Sequence, residues 1–302
     1  MTFNALELVQ GIDTSTLADM TDTTTGGGSK RGLLPAGFAF AVFSSYIEYG
    51  KQPQMFDGKK KDPALEFRLG FHIVGGVGTN LAGEDEDYVQ DGFLPTISTW
   101  DTAQSRNEKS KAVKYFNAIN IVPKGTHFIH KLGTMYLVEV KVTKNKKTGK
   151  DQNEFDFTSL QQARDQATRK AYTSYTNAAG IEVAMGELKP EDYKVFLWNR
   201  PTNVTIEQYQ AMWDSIEIKG ETEIKDAAGN VTGKRSKNFL QEKCQRALDF
   251  EGSSLQQLIG GVALPSITAA DEAEAEPVEE ETITPPPVDD EAELVVPPAD
   301  EE

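Results

Sequence analysis

The chain has one cysteine, Cys244, and three histidines, His72, His127 and His130. A disulfide framework or a cysteine-rich zinc site within one chain is therefore excluded. No stretch approaches 18 consecutive apolar residues, so no transmembrane helix is expected. The start, MTFNALELVQG, has no basic region followed by a long apolar run, so no signal peptide is expected. Together these absences fit a soluble protein of a reducing cytoplasm. Basic residues are also missing from one block. Asp271 to Glu302 holds 14 acids and neither Lys nor Arg.

That last absence changes the meaning of the formal net charge of −16. The average describes an acidic protein that would avoid nucleic acid. Setting the block aside leaves 33 acids (47 less 14) against 31 bases. Residues 33–270 carry 29 of each and are neutral. A charge asymmetry of this kind marks an interaction tail.

Three regions follow from composition. Residues 1–32 are rich in Thr, Asp, Ser and Gly and read as a flexible leader. Residues 33–260 hold the aromatic and branched side chains and read as a single elaborated domain. Residues 261–302 read as a disordered acidic tail, kept extended by Pro277, Pro285, Pro286, Pro287, Pro297 and Pro298.

Within the body, Phe38 to Tyr49 reads as a strand and Gly50 to Pro63 as a loop holding Lys59, Lys60 and Lys61. Leu65, Phe67, Leu69, Phe71 and Ile73 alternate with Glu66, Arg68, Gly70 and His72. A period of two with one polar face predicts a half-buried strand of an antiparallel sheet. Gly75 to Pro95 reads as a long loop, and Lys109 to Ile119 as a short helix. Met135 to Val142 reads as a strand that turns at Asn145 to Lys150 and returns through Phe155 and Phe157. The stretch 159–192 has no clear period, with Leu160 to Tyr175 read as helical. Val195 to Trp198 reads as a short strand and Thr205 to Trp213 as a helix. A turn is expected at Ala227 to Asn230, then a helix from Ser236 to about Phe250 and one more turn from Ser254 to Ile259. The sum is mainly β with a few helices (α+β). An oligonucleotide-binding-like antiparallel barrel is compatible, though pattern alone does not choose it over other β-rich folds.

Enzyme motifs fail one by one. Gly26 to Gly32 lacks the phosphate-loop spacing and follows no strand. Gly76-Val77-Gly78 lacks a third glycine and a following helix. His127 and His130 have no third ligand nearby, and Glu84 to Asp87 reads as a solvated loop. Cys244 has no activating neighbour in sequence. No enzyme, cofactor or metal is expected.

What points to a partner is the pattern of bases. They come in runs: Lys59, Lys60 and Lys61; Lys109, Lys111 and Lys114; Lys144, Lys146, Lys147 and Lys150; Lys234, Arg235 and Lys237. Each lies in an expected loop or at a helix start, beside strands bearing aromatics. Phosphate backbones call for mobile cations at a groove rim, and unpaired bases for flat π faces. Tyr46, Tyr49, Phe56, Tyr136, Phe155 and Phe157 are the candidate stacking platforms. The tail, including Asp289, Asp290, Glu291, Glu293, Asp300, Glu301 and Glu302, is a detached anionic block that can compete for a basic groove or dock on basic partner proteins.

One set of segments resembles a known family. Leu34-Pro35-Ala36-Gly37 is followed by Tyr49-Gly50-Lys51-Gln52-Pro53-Gln54, then Gly58-Lys59-Lys60 and Leu65-Glu66-Phe67. Asn107 to Lys111 and Leu132-Gly133 come next, and Asn238 to Lys243 leads to Ala247-Leu248-Asp249-Phe250-Glu251-Gly252-Ser253-Ser254-Leu255. This order, over about residues 33–260, resembles the bacteriophage early proteins taken to be single-stranded-DNA-binding proteins. The resemblance implies an oligonucleotide-binding-type barrel that coats single strands in replication and recombination in the host cell cytoplasm. It also implies an acidic tail recruiting phage or host replication proteins. Tails of that family usually end in an aromatic residue, and this one has none after residue 270, which favours loose electrostatic contact over docking into a pocket. The segment 159–192 has no counterpart. A β-rich phage structural or assembly protein and a recombination-associated nuclease are the rival readings, and a homo-oligomer stays open.

Overall fold

The computed structural model describes residues 33–56, 58–121, 124–146, 149–165, 168–225 and 231–260. The leader and the tail, with Asp289, Asp290, Glu291, Glu293, Asp300, Glu301 and Glu302, lie outside these residues, as do Lys147, the Phe56 side chain and the expected turn at Ala227 to Asn230.

One strand organises the body. β1 runs from Ala36 to Phe56 and pairs antiparallel with β2, Lys59–Gly75, over almost its whole length. Its start also pairs with β3, Val77–Thr79, and β7, Met135–Lys144. Its middle pairs in parallel with β11, Lys194–Phe196. β4 (Asp85–Asp87) extends β3, β5 (Thr96–Ser98) and β6 (Thr102–Ala103) extend β2, and β8 (Asp151–Gln162) extends β7. The result is a large, mostly antiparallel sheet, and no pairing among the described residues closes it into a barrel.

The sheet has two cores because β1 alternates between them. Ala39, Ala41, Phe43 and Tyr46 face the first, with Phe67, Leu69, Phe71 and Ile73 of β2 and Tyr136, Val138 and Val140 of β7. Ile47 and Tyr49 face the second, made with Phe196, Trp198 and three helices. Four register shifts along the β1–β2 ladder keep both faces filled as the strand turns. α1 (Lys111–Ile119) covers the first core, its start fixed by Ser110, whose Oγ accepts from the Val113 N–H at 3.3 Å. β9 (Ser174–Thr176) and β10 (Glu182–Ala184) form a small separate hairpin. α2 (Ile206–Ser215) opens on a capping box between Thr205 and Gln208. β12 (Glu221–Lys225) and β13 (Val231–Ser236) make a second hairpin, and α3 (Phe239–Gln245) and α4 (Ser254–Ile259) close the second core.

Four expectations are corrected. Gly50 to Pro63 is a hairpin ribbon rather than a loop: β1 carries through Gly50 and Pro53 by two bulges. The expected loop Gly75 to Pro95 contains β3 and β4. No helix spans Leu160 to Tyr175; β8 continues to Gln162. Opposite Val138, β8 carries extra residues between Asp156 and Gln161. That bulge buries Phe157 and Leu160, with Ala163 following, and their spacing of three imitates a helical stripe. The C-terminal helix starts at Phe239 and is shorter than expected, because Ser236 ends a strand.

Candidate nucleic-acid interface

Five of the six expected stacking rings, all but Phe56, are in the core. Tyr46, Tyr49 and Tyr136 are fully buried, and Phe155 and Phe157 are 2% exposed. Phe157 stacks on Phe71 at 5.3 Å. The Tyr46 hydroxyl donates to Glu48 at 2.9 Å, and the Tyr136 hydroxyl to the Ile119 carbonyl at 2.8 Å. Burial pushes the Tyr136 phenol up to about 12. None of these rings presents a face to a base, because strand alternation turns each into the apolar interior. The rings at the surface are others: Phe38, 55% exposed, with Phe93, Trp100 and Tyr172. Phe38 and Phe40 lie on the opposite side of β1 from Ala39, Ala41 and Phe43, and Phe40 meets the Tyr172 edge at 5.5 Å. The signal that could have found them is the alternation of large and small residues from Phe38 to Phe43.

The described lysines of the runs are at the surface, and strand pairing places two of the runs at opposite ends of β1. Lys59, Lys60 and Lys61 are exposed near the tip of the β1–β2 ribbon, on a strand rather than in a loop. Lys144, Lys146 and Lys150 are exposed at the β7–β8 turn. β7 pairs antiparallel with Gly37 to Val42, so Lys144 projects past the start of β1. The ribbon tip lies at the other end of the same strand. From Gly37 to Phe56 the contour is roughly 60 Å at about 3.3 Å per residue. Lys109, Lys111 and Lys114 are exposed around the first turn of α1, where no acid complements the helix dipole. Lys234 is ion-paired with Glu221 at 3.3 Å and sits across from Glu223; Arg235 is half-buried and Lys237 exposed. Lys144 likewise faces Asp151. Across the ribbon, Lys59, Lys60 and Lys61 stand opposite Phe56, Met55 and Gln54.

At the base of the ribbon is a charged network the sequence does not announce. Asp101 accepts from Arg68 Nε at 2.7 Å and from Lys243 Nζ at 2.5 Å. Lys243 also pairs with Glu66 at 2.8 Å, and Glu66 accepts from Gln54 at 2.6 Å. The Lys243 ammonium lies 4.9 Å from the Tyr49 ring centre. Burial alone would raise the Asp101 carboxyl, but Arg68 and Lys243 together hold it below its ordinary value. Burial would lower Lys243, but Asp101 and Glu66 hold it above its own. The network joins β1, β2, the segment before β6 and α3.

Two of the segments quoted above, Tyr49 to Gln54 and Ala247 to Leu255, meet in space. The Lys51 N–H donates to Asp249 at 2.7 Å, and the Leu248 N–H to the Lys51 carbonyl at 2.9 Å. Leu34 is held at both backbone groups by the Asn153 amide, each bond 2.7 Å. Cys244 is buried, 3.7 Å from the Glu48 carbonyl. His127 lies edge-on to Tyr46, and His130 Nδ1 accepts from the Thr126 N–H.

Among the described residues no group of three or more His, Cys, Asp or Glu side chains is placed to hold a metal ion. None of their helices is long and apolar enough to cross a membrane. Comparison with known proteins found no family model, no curated protein and no solved structure that matches the chain.

Proposed function

We propose that this is a phage single-stranded-DNA-binding protein that coats single strands in replication and recombination without sequence specificity and without catalysis. The observation that carries the reading is the set of exposed lysines at hairpin turns and a helix start on a mainly β body. Lysine supplies a compact, sequence-indifferent charge for phosphates. The body's charge is neutral only on average; the described lysines of its runs are exposed. The docking of the Tyr49-to-Gln54 segment against Ala247 to Phe250 gives the family-like motifs a shared structural task, which supports a resemblance at the level of the fold. In this reading the sheet is an elaborated oligonucleotide-binding-type barrel, with β1 as the long bulged strand shared by both halves. The acidic tail competes with DNA for the lysines and contacts phage or host replication and recombination proteins. The protein works in the host cell cytoplasm.

The test is a titration of fluorescent oligo-dT with the full chain and with a chain ending at Ala270, over a salt series. Binding at micromolar or tighter concentration, weakened by salt and strengthened by tail removal, is expected. Absence of binding by both chains at low salt refutes the reading.

A further inference from the structure

The lysine runs are equivalent in the sequence but not in the fold. Residues 53–56 and 58–63 form a two-stranded ribbon whose strands, among the described residues, pair only with each other. Every other pairing of β1 ends at Ile47, and β2 meets β6 only from Glu66 onward. Pro53, Met55 and all residues from Gly58 to Pro63 are exposed.

The ribbon is free at its tip and fixed at its root. On one edge Lys51 is held by Asp249 and Leu248. On the other, the Gln104 N–H donates to the Leu65 carbonyl at 2.7 Å. Between them Gln54 is tied to Glu66, and Glu66 to Lys243. Gln52 is buried and donates to the carbonyls of Tyr49 and Lys243. An arm anchored in this way presents its charges with little ordering cost on binding.

Its chemistry selects a polyanion. Lys59 pairs with Phe56 and Lys61 with Gln54, so they share one side of the tip, while Lys60 lies on the other side with Met55. Cations on both sides suit a strand that wraps the arm. Pro53 and Pro63 each lack a backbone N–H, which blunts both edges against pairing with a further protein strand.

Resting on the single-strand reading above, we propose that this ribbon is the principal phosphate-gripping arm of the protein. Lys59, Lys60 and Lys61 contact consecutive stretches of one DNA backbone, and the root network holds the arm at a fixed angle to the body. The lysines at the β7–β8 turn, at the far end of β1, contribute less.

The test compares the full chain with Lys59→Ala/Lys60→Ala/Lys61→Ala and with Lys144→Ala/Lys146→Ala/Lys150→Ala, titrated with oligo-dT at several salt concentrations. Each phosphate neutralised on a single strand adds about 0.7 to the slope of log affinity against log salt. Losing the three ribbon lysines should therefore lower the slope by about 2 and weaken low-salt binding by at least about tenfold. The turn variant should shift it by less than about 1. All three ribbon lysines are exposed, so an unchanged melting temperature is expected; Lys59→Glu/Lys60→Glu/Lys61→Glu should give a larger shift of the same sign. If the full chain binds oligo-dT and the ribbon variants keep its slope, the lysines only guard the edge and the arm proposal fails while the function stands. If the ribbon variants lose binding to duplex but not to oligo-dT, the proposal for single strands also fails. If the full chain does not bind oligo-dT at low salt, both fall.

Discussion

The Trp198 indole N–H donates to one carboxylate oxygen of Asp249 at 3.0 Å, while the other oxygen accepts the Lys51 backbone N–H at 2.7 Å. One side chain thus fastens the aromatic cap of the second core to the bend in β1. Above the same bend, the Trp198 backbone N–H donates to the Glu48 carboxylate at 2.8 Å. Residues separated by about 150 to 200 positions in sequence meet at one strand kink.

The kink depends on Gly50. Its φ is +75°, and a Cβ there would lie 2.7 Å from the Trp198 ring and from the Ala247 methyl. Gly50→Ala should cost about 2–5 kcal/mol, the left-handed penalty plus overpacking. Gly58, at the ribbon tip, has φ +68° but nothing within 4 Å. Gly58→Ala should cost only about 1–2 kcal/mol. Urea melts of the two variants check the contrast.

The Asp101 network sets an acid limit. A carboxyl whose folded pKa lies below its unfolded one stabilises the fold above the unfolded value and loses that contribution as pH falls through the folded one. Asp101 is such a group, held down from its ordinary 3.8 by Arg68 and Lys243 against the opposing effect of burial. Stability should therefore fall as the pH drops below about 4. Asp101→Asn should remove part of that acid sensitivity and cost about 3 kcal/mol near neutrality. This is the low end for a broken buried pair, because Glu66 still faces Lys243. Denaturant melts at a series of pH values test both.

Tyr49 is fully buried and its hydroxyl has no hydrogen-bond partner among the described residues. An unsatisfied buried hydroxyl costs about 1–3 kcal/mol, whereas the ring face near Lys243 survives its removal. Tyr49→Phe should leave stability equal or raise it by up to about 1–3 kcal/mol. A lowered melting temperature would contradict this.

The two sides of the sheet should answer differently to aromatic truncation. Phe157→Ala empties a packed site between Phe71 and Tyr115 and should cost about 3–5 kcal/mol. Phe38→Ala, at an exposed ring, should stay within about 0.5 kcal/mol. Differential scanning calorimetry of both variants is sufficient.

Much of the architecture was legible because burial on one face enforces period two. Leu65 to Ile73 and Met135 to Val142 fall in strands, and the helices expected over Lys109 to Ile119 and Thr205 to Trp213 are present, capped by Ser110 and Thr205. The failures share a cause: bulges break the local pattern. Gly50 and Pro53 read as loop residues, yet a neighbouring strand carries the pairing past them. Leu160 and Ala163 read as the start of a helix because the strand bulge, which also buries Phe157, spaces buried residues by three. The lysines were legible as exposed charge, but which of them stand on a shared arm depends on pairings across the chain. The stacking rings were misread because a strand shows which residues alternate, not which face is wet. The Asp101 network joins Glu66, Arg68, Asp101 and Lys243, and no local pattern connects residues so far apart.

Because β1 is the partner of β2, β3, β7 and β11, its two faces are completed at different times as the chain is made. All of the first core except Leu197 and the flanking Val195 has been made once β8 has emerged. Ile47 and Tyr49 stay uncovered until Phe196, Trp198 and the helices up to Leu255 arrive. A nascent chain therefore carries a half-finished, sticky strand through most of its synthesis, and long-range pairings of this kind fold slowly and aggregate readily. A body truncated just before Phe239 would keep its whole sheet and yet strip part of the cover from Tyr49 and Trp198, so production of this protein should depend on α3 and α4.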